Sequence, residues 1–427
     1  MEGDLTKRLK DFFRTPYRLL RIMPWVIGAL VRPRMIRTLS KTQPKGSGPL
    51  TLLYFSSRYL RDGRRRILVG DLRLTIEWQG KPCDYVEQMY LEANPDVASM
   101  VKSGQYRAGL DHYVATGMQE VLEGKRKLYG EGAKPALISR TPGAAPVLGN
   151  TLCFFAHYDR QSLVDPYVLV YLHALRDLGC DIVFSSGTLA ESEIAKVVPL
   201  CREVLVRNPL GYDFTSWYVA IKHTSVGTPG YGAVLLVNDS TYFPFRPTSQ
   251  LLETMAAKGY DFWGLCDSYQ SHEGPRYHIQ SFFMGLSPRA VEAGLLPKYL
   301  ERYESYGSQS RAGYIEAYEY GISEMAKELG LSMGVYCSLQ EAYEASTPRG
   351  RHKLPIERTN PSIHLWREII SVCSCPALKI ALIRDNPEGY FDWADLERLA
   401  TSYDLELIRS HLARTLGKLP AWIPSRP

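Results

Sequence analysis

Four apolar runs in this sequence break off into residues that carry chemistry. "TLCFFAHYD" ends in His157, Tyr158 and Asp159, and "REVLVRN" ends in Arg207 and Asn208, with Gly211 and Asp213 close behind. "AVLLVND" ends in Asn238, Asp239 and Ser240, and "YDFWGLCDS" ends in Asp267 and Ser268. Carboxylates, an imidazole and a guanidinium are groups that bind phosphate, hold a divalent cation or move a proton. A lone aspartate at such a point is explained as a turn cap, accepting from the amides that follow it. Four polar clusters behind four apolar runs are harder to explain that way.

The runs themselves say what positions these clusters. A strand buried on both faces reads as a near-continuous apolar stretch, and Val234 to Val237 is one. Between the runs lie helical stretches such as "PYVLVYLHALRDLG", amphipathic and stopped by glycine. Strands alternating with helices predict an α/β fold with a doubly wound, mostly parallel sheet. The carboxyl ends of parallel strands share one edge, and ligands bind in the crevice beyond it. The clusters are therefore expected to converge.

Composition divides the 427 residues further. Residues 1–42 form a basic segment in which Phe12, Phe13, Leu19, Leu20 and Trp25 alternate with Lys10, Arg14, Arg18 and Arg21, as in a helix lying on an anionic membrane surface. A helix docked on the protein's own core is the alternative. Residues 83–130 read as a small helical module opened by Asn94-Pro95-Asp96, with His112 as a packing residue. The Pro- and Gly-rich stretch 134–150 marks a boundary, 150–345 carry the sheet, and 346–427 form a helical C-terminal extension.

Several functions are disfavoured. The net charge of +6 is modest for this length and does not call for nucleic acid. No run reaches the ~18–20 apolar residues of a membrane-spanning helix. The eight cysteines have no metal-ligand spacing and read as free thiols of a reducing cytosol. The absence of GxGxxG and of GxxxxGK[ST] argues against dinucleotide and P-loop sites. Phosphate then requires a metal or an arginine. Asp239 suits Mg²⁺ or Mn²⁺, oriented by Asn238 or Ser240, and Arg207 suits bidentate phosphate binding. Together they fit a nucleotide-diphosphate donor.

The pieces "FFAHYD", "VRNPLGYDFTSW", "LLVNDSTYFPF", "YDFWGLCDS", "HIQSFFMG" and "EAYEYGISE", followed by "NPSIHLW", "CPALKIALIRDNP" and "YFDW", resemble in order and spacing the rhamnan synthesis protein F family of bacterial glycosyltransferases. The unit at "YLEANPDVA" is similar to an NPDVA-type module found beside such enzymes. The resemblance implies a GT-A-like domain in which Asp239 is the counterpart of the metal-binding DxD aspartate. Here the motif is Asn-Asp-Ser, which leaves a single-carboxylate or metal-free site as alternatives.

An inverting transfer also needs a base for the acceptor hydroxyl. Glu319 falls where related enzymes carry an acidic pair, with Asp267 and His278 as rivals. His157, Asp159, Arg207, Asn208, Gly211, Asp213, Asn238, Ser240 and Gln280 are the expected donor-binding residues. Trp217, Trp263 and Tyr242 are candidates to stack on a base or sugar, against a core role; Trp366, Lys379 and Arg384 are assigned to packing or the acceptor side. The resemblance implies transfer of a sugar, L-rhamnose among the candidates, from a dTDP- or GDP-linked donor to a lipid-linked cell-surface glycan at the cytoplasmic face of the inner membrane. The alternatives are a non-catalytic glycan-binding or scaffold protein and, more remotely, a phosphohydrolase, which would need an acid at Thr241.

Overall fold

The computed structural model describes residues 73–424 apart from 79–80, 87–89, 92, 107–108, 118–119, 121–124, 127–135, 160, 188, 209–210, 225–230, 272–273, 306–310 and 347–353. The basic segment 1–42 lies outside the described residues. The chain divides into two compact units, Met1–Ala133 and Lys134–Pro427.

In the first unit, β1 (Arg73–Trp78) and β2 (Lys81–Val86) pair antiparallel. Helix α1 (Pro95–Lys102) starts at its proline, whose missing N–H is one the first turn leaves unpaired anyway. Asn94 does not cap it: its side chain donates to the Tyr90 carbonyl at 2.7 Å and accepts from Arg126 at 3.1 Å. Arg126 also grips Asp96 through two nitrogens, each at 2.8 Å. Helix α2 (Gly109–His112) runs into a π-helical turn, Tyr113–Gly117. His112 is buried there, with its Nδ1 3.0 Å from the Tyr90 hydroxyl. A Cβ at Gly117 would come within 2.0 Å of that hydroxyl, so the turn closes only over glycine.

The second unit is built on a nine-stranded sheet. In chain order it runs β3 (Leu137–Pro142), β4 (Thr151–His157), α3 (Pro166–Asp177), β5 (Cys180–Ser186), α4 (Glu191–Val197), β6 (Glu203–Arg207), α5 (Asp213–His223) and β7 (Ala233–Asn238). There follow β8 (Thr241–Tyr242), α6 (Leu251–Lys258), β9 (Phe262–Ser268), β10 (His278–Ile279), β11 (Phe283–Leu286), α7 (Pro288–Glu292), α8 (Leu295–Ser305) and α9 (Arg311–Tyr314). A π-helical turn, Ile315–Tyr320, leads into α10 (Gly321–Glu328), β12 (Met333–Cys337) and α11 (Leu339–Ser346). The chain closes with α12 (Pro361–His364), α13 (Trp366–Ser371), β13 (Leu378–Lys379), α14 (Ile380–Asp385), α15 (Trp393–Leu399) and α16 (Leu405–Leu416).

The strand order is β10-β9-β11-β7-β4-β5-β6-β3, with β12 beside β9. Strands β7, β4, β5 and β6 are mutually parallel, as the apolar runs predict. Strand β11 lies antiparallel between β7 and β9, so β9 and its parallel neighbour β12 point the same way as β7. The sheet is thus mixed but mostly parallel. The Pro- and Gly-rich stretch expected as a bare boundary contributes β3, an antiparallel edge strand on β6. Edge position suits it, because its closing Pro142 can donate no ladder hydrogen bond.

The sheet is covered on both faces. Phe154, Trp217, Leu236, Tyr299 and Tyr318 share one apolar cluster, built with α5, α8 and α10. On the other face Phe155, Tyr171 and Leu265 share a cluster with Trp366, Ile370, Leu382 and Leu412. The C-terminal helices therefore form part of the sheet's own core. The candidate stacking aromatics are in these cores too. Trp217, Trp263 and Tyr242 are buried, as are Phe243 and Phe245, and the Trp217 Nε1 donates to the carbonyls of Phe154 and Val237, each at 3.1 Å. A ring enclosed in this way offers no face to a base or sugar, so the stacking role does not hold for them.

Candidate functional site

Strands β4, β5, β6, β7 and β9 bring their carboxyl ends to one edge, and Asp239 stands at its centre. Its Oδ2 accepts from the Tyr158 amide at 2.9 Å and lies 3.8 Å from Nε2 of His157. The Asp239 backbone is pinned as well: its N–H reaches the Ala156 carbonyl at 3.2 Å, and its carbonyl accepts from the Tyr167 hydroxyl at 3.0 Å. Burial, and then the charge of Asp213, push its carboxyl well above the usual range. A buried carboxyl beside another acid keeps its proton unless something positive arrives. His157 is buried too, with Nδ1 2.9 Å from the Ser186 hydroxyl. Desolvation lowers it to about 4, so its imidazole is neutral at pH 7.

A chain of polar side chains continues from there. Asn238 donates to Asp213 Oδ2 at 2.9 Å, and its Oδ1 accepts from the amide (3.1 Å) and the hydroxyl of Ser240. The Ser240 hydroxyl accepts in turn from Lys379 Nζ at 2.9 Å. Arg207, expected on phosphate, commits its guanidinium to the following turn. Nε donates to Ser216 Oγ at 2.9 Å, and the terminal nitrogens donate to the carbonyls of Asn208 and Tyr212 at 2.8 and 3.1 Å. Asn208 ties the turn to the edge strand, accepting from the Ala136 amide at 3.1 Å. Gly211 has φ +66°, and a Cβ there would fall 1.9 Å from Thr215 Oγ1.

Asp159 departs most from its expected place. It caps its own turn, accepting from the amides of Gln161 (2.8 Å) and Leu163 (3.1 Å), and it forms an ion pair with Arg414 of α16. Arg414 also holds Asp165, with Nε 2.9 Å from Oδ1. Burial works to raise the Asp159 carboxyl, but Arg414 and the amides outweigh it and hold it below the usual range. Asp159 braces the loop that presents the Tyr158 amide to Asp239.

A second cluster adjoins the first through the Asn238 amide, which donates to the Phe282 carbonyl at 3.2 Å. Glu319, on the π-helical turn, accepts from the Ser281 amide at 3.3 Å and is half-buried. Gln280 donates to Asn360 Oδ1 at 3.0 Å, while its own carbonyl oxygen is buried without a partner among the described residues. Such an orphan costs about 1–3 kcal/mol unless a ligand pairs it. Asp267 accepts from the Leu339 amide at 2.6 Å, where α11 begins; burial raises its carboxyl. His278 places Nδ1 2.9 Å from the Arg276 carbonyl, to which it donates.

A divalent cation fits this edge only in one way. Among the described residues no three His, Cys, Asp or Glu side chains form a metal cage. Asp239 would be the main protein ligand, which suits an ion that takes most of its shell from phosphate and water. Among the described residues no helix is long and apolar enough to cross a membrane.

The buried imidazoles set a pH dependence. His157 and His411 are both lowered to about 4 by burial, against 6.5 as the ordinary value. Between those values the unfolded chain binds protons that the folded chain refuses, so stability falls as pH drops. We expect these two imidazoles to remove on the order of 5 kcal/mol of stability between pH 6.5 and 4, against the opposite contribution of the raised Asp239 carboxyl, so that replacing both with glutamine makes the loss on acidification smaller. A urea midpoint that falls as much in the His157→Gln/His411→Gln variant as in wild type between pH 6.5 and 4.5 would contradict this.

Residues that sequence reasoning missed are Asn360, Tyr167 and Arg414; Lys379 it noticed but did not place beside Ser240. Asn360 belongs to "NPSIHLW", a segment of the family pattern, whereas Tyr167 and Arg414 lie in none of the segments that carry the resemblance and gave no such signal. A family model for rhamnan synthesis protein F matches residues 182–423. Virulence protein VirA of Vibrio anguillarum is 26% identical over 250 residues, covering 53% of this chain and 78% of the relative. An uncharacterized protein y4gN of Sinorhizobium fredii is 23% identical over 170 residues, covering 40% of this chain and 44% of its own. Among solved structures, one from Desulfovibrio desulfuricans G20, provisionally assigned as a nucleotide-diphospho-sugar transferase, covers 53% of this chain and 97% of its own at 13% identity. Its TM-score of 0.26 is too low to carry detail of the site.

Proposed function

The chain belongs to the rhamnan synthesis protein F family, a glycosyltransferase family of polysaccharide synthesis, and from that premise we propose that it moves a sugar, L-rhamnose first among the candidates, from a dTDP- or GDP-linked donor to a growing lipid-linked glycan. The observation that carries the reading is the meeting of Asp239, Asp213, Asn238 and Ser240 at the ends of parallel strands beside a third acid, Glu319. Asp239 would hold Mg²⁺ or Mn²⁺, which when bound neutralises the diphosphate leaving group. The Tyr158 amide and the Tyr167 hydroxyl keep Asp239 in place, and His157 stands 3.8 Å from it as a neutral imidazole. The unpartnered carbonyl of Gln280 is the acceptor for a sugar hydroxyl.

In the reaction, the acceptor oxygen bonds to the anomeric carbon as the bond from that carbon to the phosphate oxygen breaks. The acceptor proton passes to Glu319, and the nucleoside diphosphate leaves with the electron pair. Glu319 is the better base because the Ser281 amide reaches it only at 3.3 Å, whereas the α11 amide holds Asp267 at 2.6 Å. The basic segment 1–42 would hold the enzyme at the cytoplasmic face of the membrane, by apolar contact and by attraction to anionic lipid.

The test is a panel of dTDP-, GDP- and UDP-sugars, with and without Mn²⁺, followed by hydrolysis and transfer. One donor should be consumed, and Glu319→Gln should slow it by about 10²–10⁴ while donor affinity stays within about twofold. Loss of donor affinity in Glu319→Gln would remove it from the base role. No consumption of any donor by folded protein would return the chain to the scaffold reading.

A further inference from the structure

We infer that Lys379, carried by the C-terminal segment, is the fixed cation that binds the donor's diphosphate; this rests on the nucleotide-sugar reading above. Strand β13 pairs with β8 so that Lys379 lies opposite Thr241, and the Ile380 amide donates to the Ser240 carbonyl at 3.0 Å. The backbone around Lys379 is thereby laced to the three residues that follow Asp239. Its ammonium lies 2.9 Å from Ser240 Oγ and 4.8 Å from the centre of the Phe282 ring. Phe282 is the residue whose carbonyl joins the two polar clusters, so the charge sits at the junction of donor and base groups.

The site has a use for such a group. Asp213 repels a diphosphate, a fixed cation acts beside any divalent ion that Asp239 holds, and the Arg207 guanidinium donates to Ser216, Asn208 and Tyr212 of its own turn. Lys379 is half-buried, where a charge acts through a lower dielectric than in bulk water. Ser240 gives its proton to Asn238 and turns a lone pair to the ammonium, and a phosphate oxygen is a stronger acceptor for that ammonium than a hydroxyl. An ammonium on a flexible stem makes that exchange without any backbone movement.

The experiment measures binding of dTDP, GDP and UDP, each beside its monophosphate, to wild type, Lys379→Ala and Lys379→Gln, with Mg²⁺ present throughout. Lys379→Ala should weaken the preferred diphosphate at least about tenfold, leave the monophosphate within about threefold, and flatten the salt dependence. Lys379→Gln, which can still hydrogen-bond Ser240, should lose the diphosphate preference equally. An equal loss for diphosphate and monophosphate in both variants, or no loss in either, would overturn the assignment and leave Lys379 as a brace of β13 on β8. Should wild type bind no nucleoside diphosphate, the donor reading fails and takes this inference with it.

Discussion

Asp239→Asn is expected to abolish transfer while making the protein more stable. The carboxyl is buried beside Asp213, and its folded pKa lies above the ordinary value of 3.8. The sign follows from proton linkage: the folded state holds a proton there that the unfolded chain has released, so stability falls as pH rises from about 3.8 to the folded value. At neutral pH the acid is a burden on folding that a neutral amide lifts. Asparagine keeps an oxygen for the Tyr158 amide, so the turn survives. We expect kcat to drop by at least about a hundredfold, the scale for losing one preorganised charge-stabilising group. The melting temperature should rise by a few degrees. A residue whose only duty is to anchor a turn would give neither result. Unchanged transfer in a correctly folded Asp239→Asn variant would therefore sink the donor-site assignment.

Arg414→Ala should do the reverse, destabilising first and disabling as a consequence. Arg414 reaches from α16 to Asp159 and Asp165, which are nearly buried, and donates to Gln161 Oε1 at 2.7 Å. Removing one partner of a buried ion pair leaves uncompensated charge and costs about 3–5 kcal/mol. Arg414 is partly exposed, which places the expectation near about 3 kcal/mol, or a fall of roughly 6–12 °C in melting temperature for a unit of this size. Donor affinity should weaken with it, because the loop from Asp159 to Asp165 fixes the Tyr158 amide against Asp239. Arg414→Lys keeps the charge and loses the fork, and should fall between. Thermal scans and dTDP titrations of the three proteins check this; a melting temperature within 2 °C of wild type for Arg414→Ala would refute it.

Some of this was open to inspection in the bare chain. An apolar run such as Val234 to Val237 is buried on both faces whatever lies around it, and the parallel core followed from the runs and the helices between them. The polar breaks then had to fall on one edge. Asp239, Asn238, Asp213 and Ser240 meet there for that reason. Asp159 and Arg207 were legible as polar residues at strand ends but not by role, since a carboxylate at a strand end looks the same whether a ligand or an arginine meets it.

What only the tertiary structure decided lies far apart in the chain. Lys379 joins Ser240 across 139 positions, and Arg414 joins Asp159 across 255. The antiparallel insertion of β11, the enclosure of Trp217 and Tyr242, and the unpaired oxygen of Gln280 are of the same kind. Periodicity and turn chemistry are local, so they specify which segments become strands and helices and where those end. Which distant side chain arrives at a strand end is set by how two packed layers close over the sheet, and no stretch of sequence carries that by itself.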